Sequence, residues 1–154
     1  MNKFQPILLE CPNQPEVLAL IEALDAYQIP LYPQGTHHGI NLDALCAPNV
    51  LFAVGRTEGA EAIVCGALAL NPGYGELKRM FTKPAFRGQG LARVLLTFLE
   101  AEAQKRGCSH FMLETGYRQL EAIAFYERCG YSRRSPFGEY EADPNSVFLE
   151  KLLD

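Results

Sequence analysis

The six residues Arg87-Gly88-Gln89-Gly90-Leu91-Ala92 have the types and spacing to hold an anion. A strand exit, Thr82-Lys83-Pro84, precedes them and a strongly amphipathic stretch follows, so they sit where a strand turns into a helix. Gly88 and Gly90 let the backbone approach a ligand closely. The first N–H groups of the helix have no intrahelical partner, and Arg87 adds a planar cationic fork at the mouth. This context makes the segment a phosphate cradle. Two familiar nucleotide loops do not fit it. A dinucleotide fingerprint needs a third small residue where Arg93 stands, and a P-loop needs Gly-Lys-Ser/Thr, which the sequence lacks.

Such a cradle has to be carried by a strand before it and a helix behind it. Glu76 to Thr82 reads as a central strand ending at Pro84. The helix Gly90 to Arg106 places Leu91, Val94, Leu95 and Phe98 on one face, with Lys105 and Arg106 at its negative end and Gly107 as the stop. Upstream, the expected order is a strand over Phe4 to Glu10, a helix capped by Asn13 and running to about Tyr27, and a Pro- and Gly-rich stretch from Ile29 to Gly39. A short helix around Leu42 to Cys46 and a hairpin of Val50 to Arg56 with Ala62 to Leu70 follow. Downstream come a strand over Phe111 to Glu114, a helix over Glu121 to Arg128 ended by Gly130, and strands over Tyr131 to Arg134 and Val147 to Lys151. The last is expected to close the sheet.

The chain of 154 residues, 48% hydrophobic, has room for a single domain spanning residues 1–154. Its longest apolar runs fall far short of the ~20 residues of a membrane helix, and Met1 to Pro6 lacks the apolar core of a secretory signal. A cytoplasmic location and no membrane partner are expected. Five scattered cysteines without a C-x-x-C pair read as free thiols, and the net charge of −4 without a basic run argues against nucleic acid.

Arg87, Gly90 and Ala92 match R/Q-x-x-G-x-G/A, the coenzyme A pyrophosphate signature of the GNAT N-acetyltransferases. Ala122 to Tyr131 resembles that family's second signature, N-x-x-A-x-x-(F/L)-Y-E-K-x-G-F, with Gln119 in place of the common Asn. The resemblance covers essentially the whole chain. It implies an α/β (α+β) GNAT fold: a mixed central sheet of about six to seven strands, flanked by about four helices, with a splayed central strand pair. It also implies acetyl-CoA as acyl donor, no metal, and direct attack of an amine in a ternary complex. Arg87, Gly88, Gln89, Gly90, Leu91 and Ala92 would then hold the pyrophosphate. Met80, Phe81 and Thr82 would run along the pantetheine arm, with the Met80 or Thr82 amide facing the oxyanion, and Gln119 would contact the coenzyme. Tyr126 corresponds to the family's acid: a phenol of pKa ~10 keeps its proton at neutral pH and can hand it to a departing thiolate, whose own thiol has pKa ~8.5.

Two carboxylates can approach the cleft as a base acting through water, Glu76 before the cradle and Glu114 on the next strand; either can instead pair with Lys78 or Arg79. An α-amine, roughly a tenth neutral at pH 7, needs little help, whereas a lysine-like amine is neutral in about one molecule in 2,500. Family members differ in the N-terminal helices and in the loop before the last strand. Tyr32, His38, Lys78, Arg79, Tyr117 and Tyr140 are therefore the expected acceptor contacts, with Pro33, His37 and Phe137 nearby. Lys78 and Arg79 lie in a strand that reads as interior and need anionic partners. One is expected to meet an acceptor carboxylate and the other Glu76 or Glu114, which points to a small, carboxylate-bearing primary amine. A homodimer stays open as the assembly. The rival readings are a non-catalytic acetyl-CoA sensor, and transfer of a longer acyl group or to a hydroxyl. Glu76 to Met80 with Leu113 to Gly116 also resembles a bacterial subgroup labelled indole-acetic-acid acetyltransferases, a label these residues ground only weakly.

Overall fold

The computed structural model describes residues 3–28, 30 and 42–153. In chain order the elements are β1 (Leu8–Leu9), α1 (Pro15–Gln28), α2 (Leu42–Leu45), β2 (Val50–Arg56), β3 (Ala62–Asn71), β4 (Tyr74–Thr82), α3 (Leu91–Lys105), β5 (His110–Gly116), α4 (Leu120–Arg128), β6 (Ser132–Arg134) and β7 (Ser146–Leu152). The seven strands among the described residues form one mixed sheet in the order β1-β2-β3-β4-β5-β7-β6. This is the expected architecture.

Strand alternation sorts the core into two layers. Phe52 and Val54 of β2 join Cys65, Ala67 and Phe81 beneath α1, whose Val17, Leu20 and Leu24 are buried there with Leu45 of α2. Leu51 and Ala53 face the other way, onto Leu91, Leu95 and Leu99 of α3, in a cluster that extends to Tyr126 and Tyr131 around α4. Each large apolar side chain so buried contributes roughly 1.5–3 kcal/mol. A third cluster, Met112, Phe137 and Phe148, pins the segment between β6 and β7 to the sheet. Among the described residues no helix is long and apolar enough to cross a membrane.

Four local expectations are corrected. β1 pairs over Leu8–Leu9 alone, with Phe4 bridging Thr57, because Pro6 has no N–H for a ladder. Helix α1 starts at Pro15 rather than under an Asn13 cap: the Gln14 carbonyl accepts the Val17 and Leu18 N–H groups, and Pro15 supplies a preset first turn. On α3 the buried ridge is Leu91, Leu95, Leu99 and Ala103, a strict i+4 row, and this leaves Val94 58% exposed. The final strand is interior, paired with β5 on one side and β6 on the other, so β6 is the sheet's edge.

Two irregularities shape the centre of the sheet. Strands β4 and β5 run parallel but pair only at Gly75–Phe111, Glu76–Met112 and Leu77–Leu113. Past Leu77 they splay. On its other side β4 carries a bulge: Cys65 pairs with Phe81 and Ala67 with Lys78, so Arg79 and Met80 together stand opposite Gly66. Arg79 takes the extra turn of backbone at φ 59°.

Candidate functional site

The turn into α3 has the open backbone that its glycines promised. Gly88 and Gly90 adopt φ of 82° and 79°, and a Cβ added to either would meet nothing within 4 Å. Gly90 at the N-cap has no side chain with which to cap the helix, whose first internal bond runs from Val94 N to Gly90 O at 3.1 Å. The N–H groups of Leu91, Ala92 and Arg93 therefore come before the first internal bond, at the positive end of a 15-residue helix. Arg87 is tied beside them. Its Nε donates to Thr82 O at 3.1 Å, and its guanidinium lies over the rings of Phe81 and Tyr27 at 5.5 and 5.9 Å.

The splay of β4 from β5 opens a cleft of about 470 Å³ next to this turn. Met80, Phe81 and Thr82 line it from β4, Arg87 and Ala92 from the cradle, and Gln119 and Tyr126 from α4. Seven of the residues expected to hold the donor are thus brought to one wall-to-wall space. Gln119 is the residue just before α4, and its Oε1 accepts from Gln28 Nε2 at 3.5 Å. Tyr126 is buried, with ring edges of Phe125 and Tyr131 at 5.2 and 5.7 Å. Burial pushes its phenol above the ordinary tyrosine range, and Cys129 one turn on adds to the shift. Behind it, Tyr131 Oη donates to the buried Glu100 at 2.7 Å, and Lys151 Nζ reaches the other Glu100 oxygen at 3.2 Å.

A second, larger cavity of about 850 Å³ lies along the preceding stretch of the same strand, walled by Tyr74, Glu76, Lys78 and the segment Gly138 to Asp143. Tyr140 Oη donates to Glu76 Oε2 at 2.5 Å, while Lys78 Nζ stands 3.2 Å from that hydroxyl and 3.3 Å from the carboxylate. Burial raises the Tyr140 phenol, as do its bond to Glu76 and the charges of Glu76 and Glu114. Glu114 accepts a hydrogen bond from Ser146 Oγ at 2.7 Å and does not line this cavity.

The remaining expected acceptor contacts are dispersed. Arg79 forms an ion pair with Asp25 of α1 and lines neither cavity, so the structure uses it to tie α1 to the bulge. Tyr117 is exposed at the end of β5, where Arg118 lies over its ring at 5.5 Å. Tyr32 and His38, with Pro33 and His37, lie outside the described residues. Sequence reasoning missed Leu24 and Tyr27 of α1, and Arg118 and Phe125 near α4, all of which line the smaller cleft. The α1 pair gave no signal beyond an amphipathic stripe. Phe125 stood inside the second signature and was readable as its neighbour's companion.

Comparison with known proteins bears on the family and the fold. The Acetyltransferase (GNAT) family profile matches residues 18–131. An IAA acetyltransferase of Azospirillum brasilense is 44% identical over 149 residues, covering 96% of this chain and 97% of that protein. A solved Klebsiella pneumoniae protein assigned to the acyl-CoA N-acyltransferases is similar at a TM-score of 0.82 and 40% identity, covering 100% of this chain and 99% of that one. The PaiA N-acetyltransferase of Thermoplasma acidophilum, solved with coenzyme A, shares the fold at a TM-score of 0.72 and 14% identity, covering 99% of both chains.

Proposed function

The chain belongs to the GNAT acetyltransferase family and is an acyltransferase; from that premise we propose that it moves an acetyl group from acetyl-CoA to the primary amine of a small, carboxylate-bearing molecule, by direct attack in a ternary complex. The observation that carries this reading is the glycine turn into α3, whose Arg87 and Ala92 line a cleft that also takes in Tyr126. The residues fit the donor: the first-turn N–H groups of α3, which have no partner within the helix, and Arg87 suit a diphosphate, and β4 beyond Leu77 has no strand partner on its β5 side. Bound there, acetyl-CoA supplies an acyl group activated as a thioester.

The chain's own groups can then be given tasks. Lys83 N–H bonds Ile63 O on the β3 side, while Thr82 O turns to Arg87 on the cleft side. Strand alternation directs the Met80 and Thr82 backbone into the cleft, where an N–H can meet the developing oxyanion. Glu76, which lines the acceptor cavity where Glu114 does not, receives the proton that the amine sheds. Tyr126 returns a proton to the departing sulfur. Two of the three Lys78 N–H donors go to Tyr140 and Glu76, which leaves the third for the acceptor's carboxylate.

The experiment is thiol release from acetyl-CoA across a panel of primary amines with and without a carboxylate, alongside alcohols and longer acyl-CoAs. The reading expects amine-dependent release that favours carboxylate-bearing amines and the acetyl donor. Coenzyme binding without amine-dependent release would make the protein a sensor and sink the enzymatic reading.

A further inference from the structure

Resting on the reading of Glu76 as base, we infer that Tyr140 is a positioning residue for that carboxylate, delivered by an aromatic clamp, rather than a contact for the acceptor. The Tyr140 hydroxyl has one proton to donate, and it goes to Glu76 Oε2 at 2.5 Å; Lys78 Nζ donates to the hydroxyl oxygen at 3.2 Å and stands 3.3 Å from the same Glu76 oxygen. A bond that short to an ionised group is of the stronger kind. Glu76 otherwise projects from a strand into a cavity of about 850 Å³, where a carboxylate on a flexible stem has several rotamers to sample. The hydroxyl selects one of them.

The clamp that carries the hydroxyl is built from rings. Phe137 and Phe148 are both buried, and Tyr140 meets them edge to face at 5.1 and 5.6 Å. Tyr74 closes on Phe137 from β4 at 5.7 Å. Tyr140 N–H bonds back to Phe137 O at 3.0 Å, closing the turn. Gly138 within that turn sits at φ 58°, and a Cβ on it would stand 2.8 Å from Tyr74 Oη. The segment is therefore fixed at both its rings and its backbone, which suits a group that orients a neighbour and does not suit one that must yield to an incoming molecule. Pre-organisation of this kind raises turnover without tightening binding.

Tyr140→Phe keeps the ring contacts and deletes only the hydroxyl. The test compares wild type, Tyr140→Phe, Glu76→Gln and the double variant in thiol release from acetyl-CoA with an L-amino acid as acceptor, together with melting temperature. The expected result is a kcat lower by about 10-fold in Tyr140→Phe, with both KM values and the melting temperature held, and no further loss on adding Tyr140→Phe to Glu76→Gln. A raised amine KM with kcat retained would make Tyr140 an acceptor contact, and multiplying losses in the double variant would make the two roles independent; either overturns the inference alone. Full activity of Glu76→Gln would overturn the base assignment and this inference with it. A crystal structure of Tyr140→Phe provides an acceptor-free arm: Glu76 is expected to leave its rotamer while the segment stays, and an unmoved Glu76 overturns the proposal.

Discussion

Gly66 and Met80 share one place in the sheet: a Cβ built on Gly66 would stand 2.3 Å from Met80 Sδ and 2.8 Å from Leu95 Cδ2. The missing side chain is what lets the β4 bulge lie flat over β3 and leaves Met80 on the cleft wall. Gly66→Ala is expected to destabilise by about 1–3 kcal/mol through overpacking and to lower turnover by shifting the Met80 amide. Urea unfolding and thiol release check both. An unaltered melt with unaltered turnover would mean that the bulge does not depend on this contact.

Arg87→Ala should weaken coenzyme A binding by the order of 1–3 kcal/mol, the worth of a charge-assisted hydrogen bond. The melting temperature should hold, because Arg87 is exposed. Arg87→Lys should recover only part of the loss, since an ammonium lacks the planar fork and stacks less well on Phe81 and Tyr27. Calorimetric titration with coenzyme A measures all three proteins.

Tyr126→Phe is expected to cut kcat by about 100-fold with coenzyme affinity unchanged. Burial holds the phenol above its ordinary range, so the proton-bearing form persists through neutral and moderately alkaline pH. Wild-type turnover should therefore show no alkaline loss attributable to this group below about pH 10. Equal kcat in the two proteins would remove Tyr126 from the chemistry.

Acid stability should depend on Arg56. This guanidinium ends β2 and grips Glu10 at 2.7 Å, Gln14 at 3.1 Å and Glu16 at 3.1 Å, tying the start of α1 to the sheet. Its hydrogen bond holds the Glu10 carboxyl below the usual carboxylate range. A carboxylate depressed in the folded state contributes stability above its unfolded value, and that contribution drains away as pH falls through the folded value. Melting temperature followed downward from pH 7 should fall in the acid range, with a shallower fall in Glu10→Gln. Parallel curves for the two proteins would show that the pair does not govern the acid limb.

The pattern of residues carried far along the chain, and it failed where distant residues decide. Hydrophobic periodicity placed β2, β3, α3 and α4 because each buries a face whose spacing is written locally. The glycine turn into α3 was legible for the same reason, since two glycines and a helix start are neighbours in sequence. Val94 was misplaced because the helix's crossing of the sheet, and not its own pattern, selects the i+4 row. Asp25 meeting Arg79, Tyr27 under Arg87 and Tyr140 on Glu76 are separated by between 54 and 64 residues in the chain. No local rule pairs them; only the folded sheet does.

The two cavities along β4 share no lining residue, with Lys78 on one wall and Met80 on the other. On the proposed reading each reactant has its own doorway. Neither would then have to vacate the protein before the other comes in, and a spent carrier would depart without disturbing whatever occupies the opposite room.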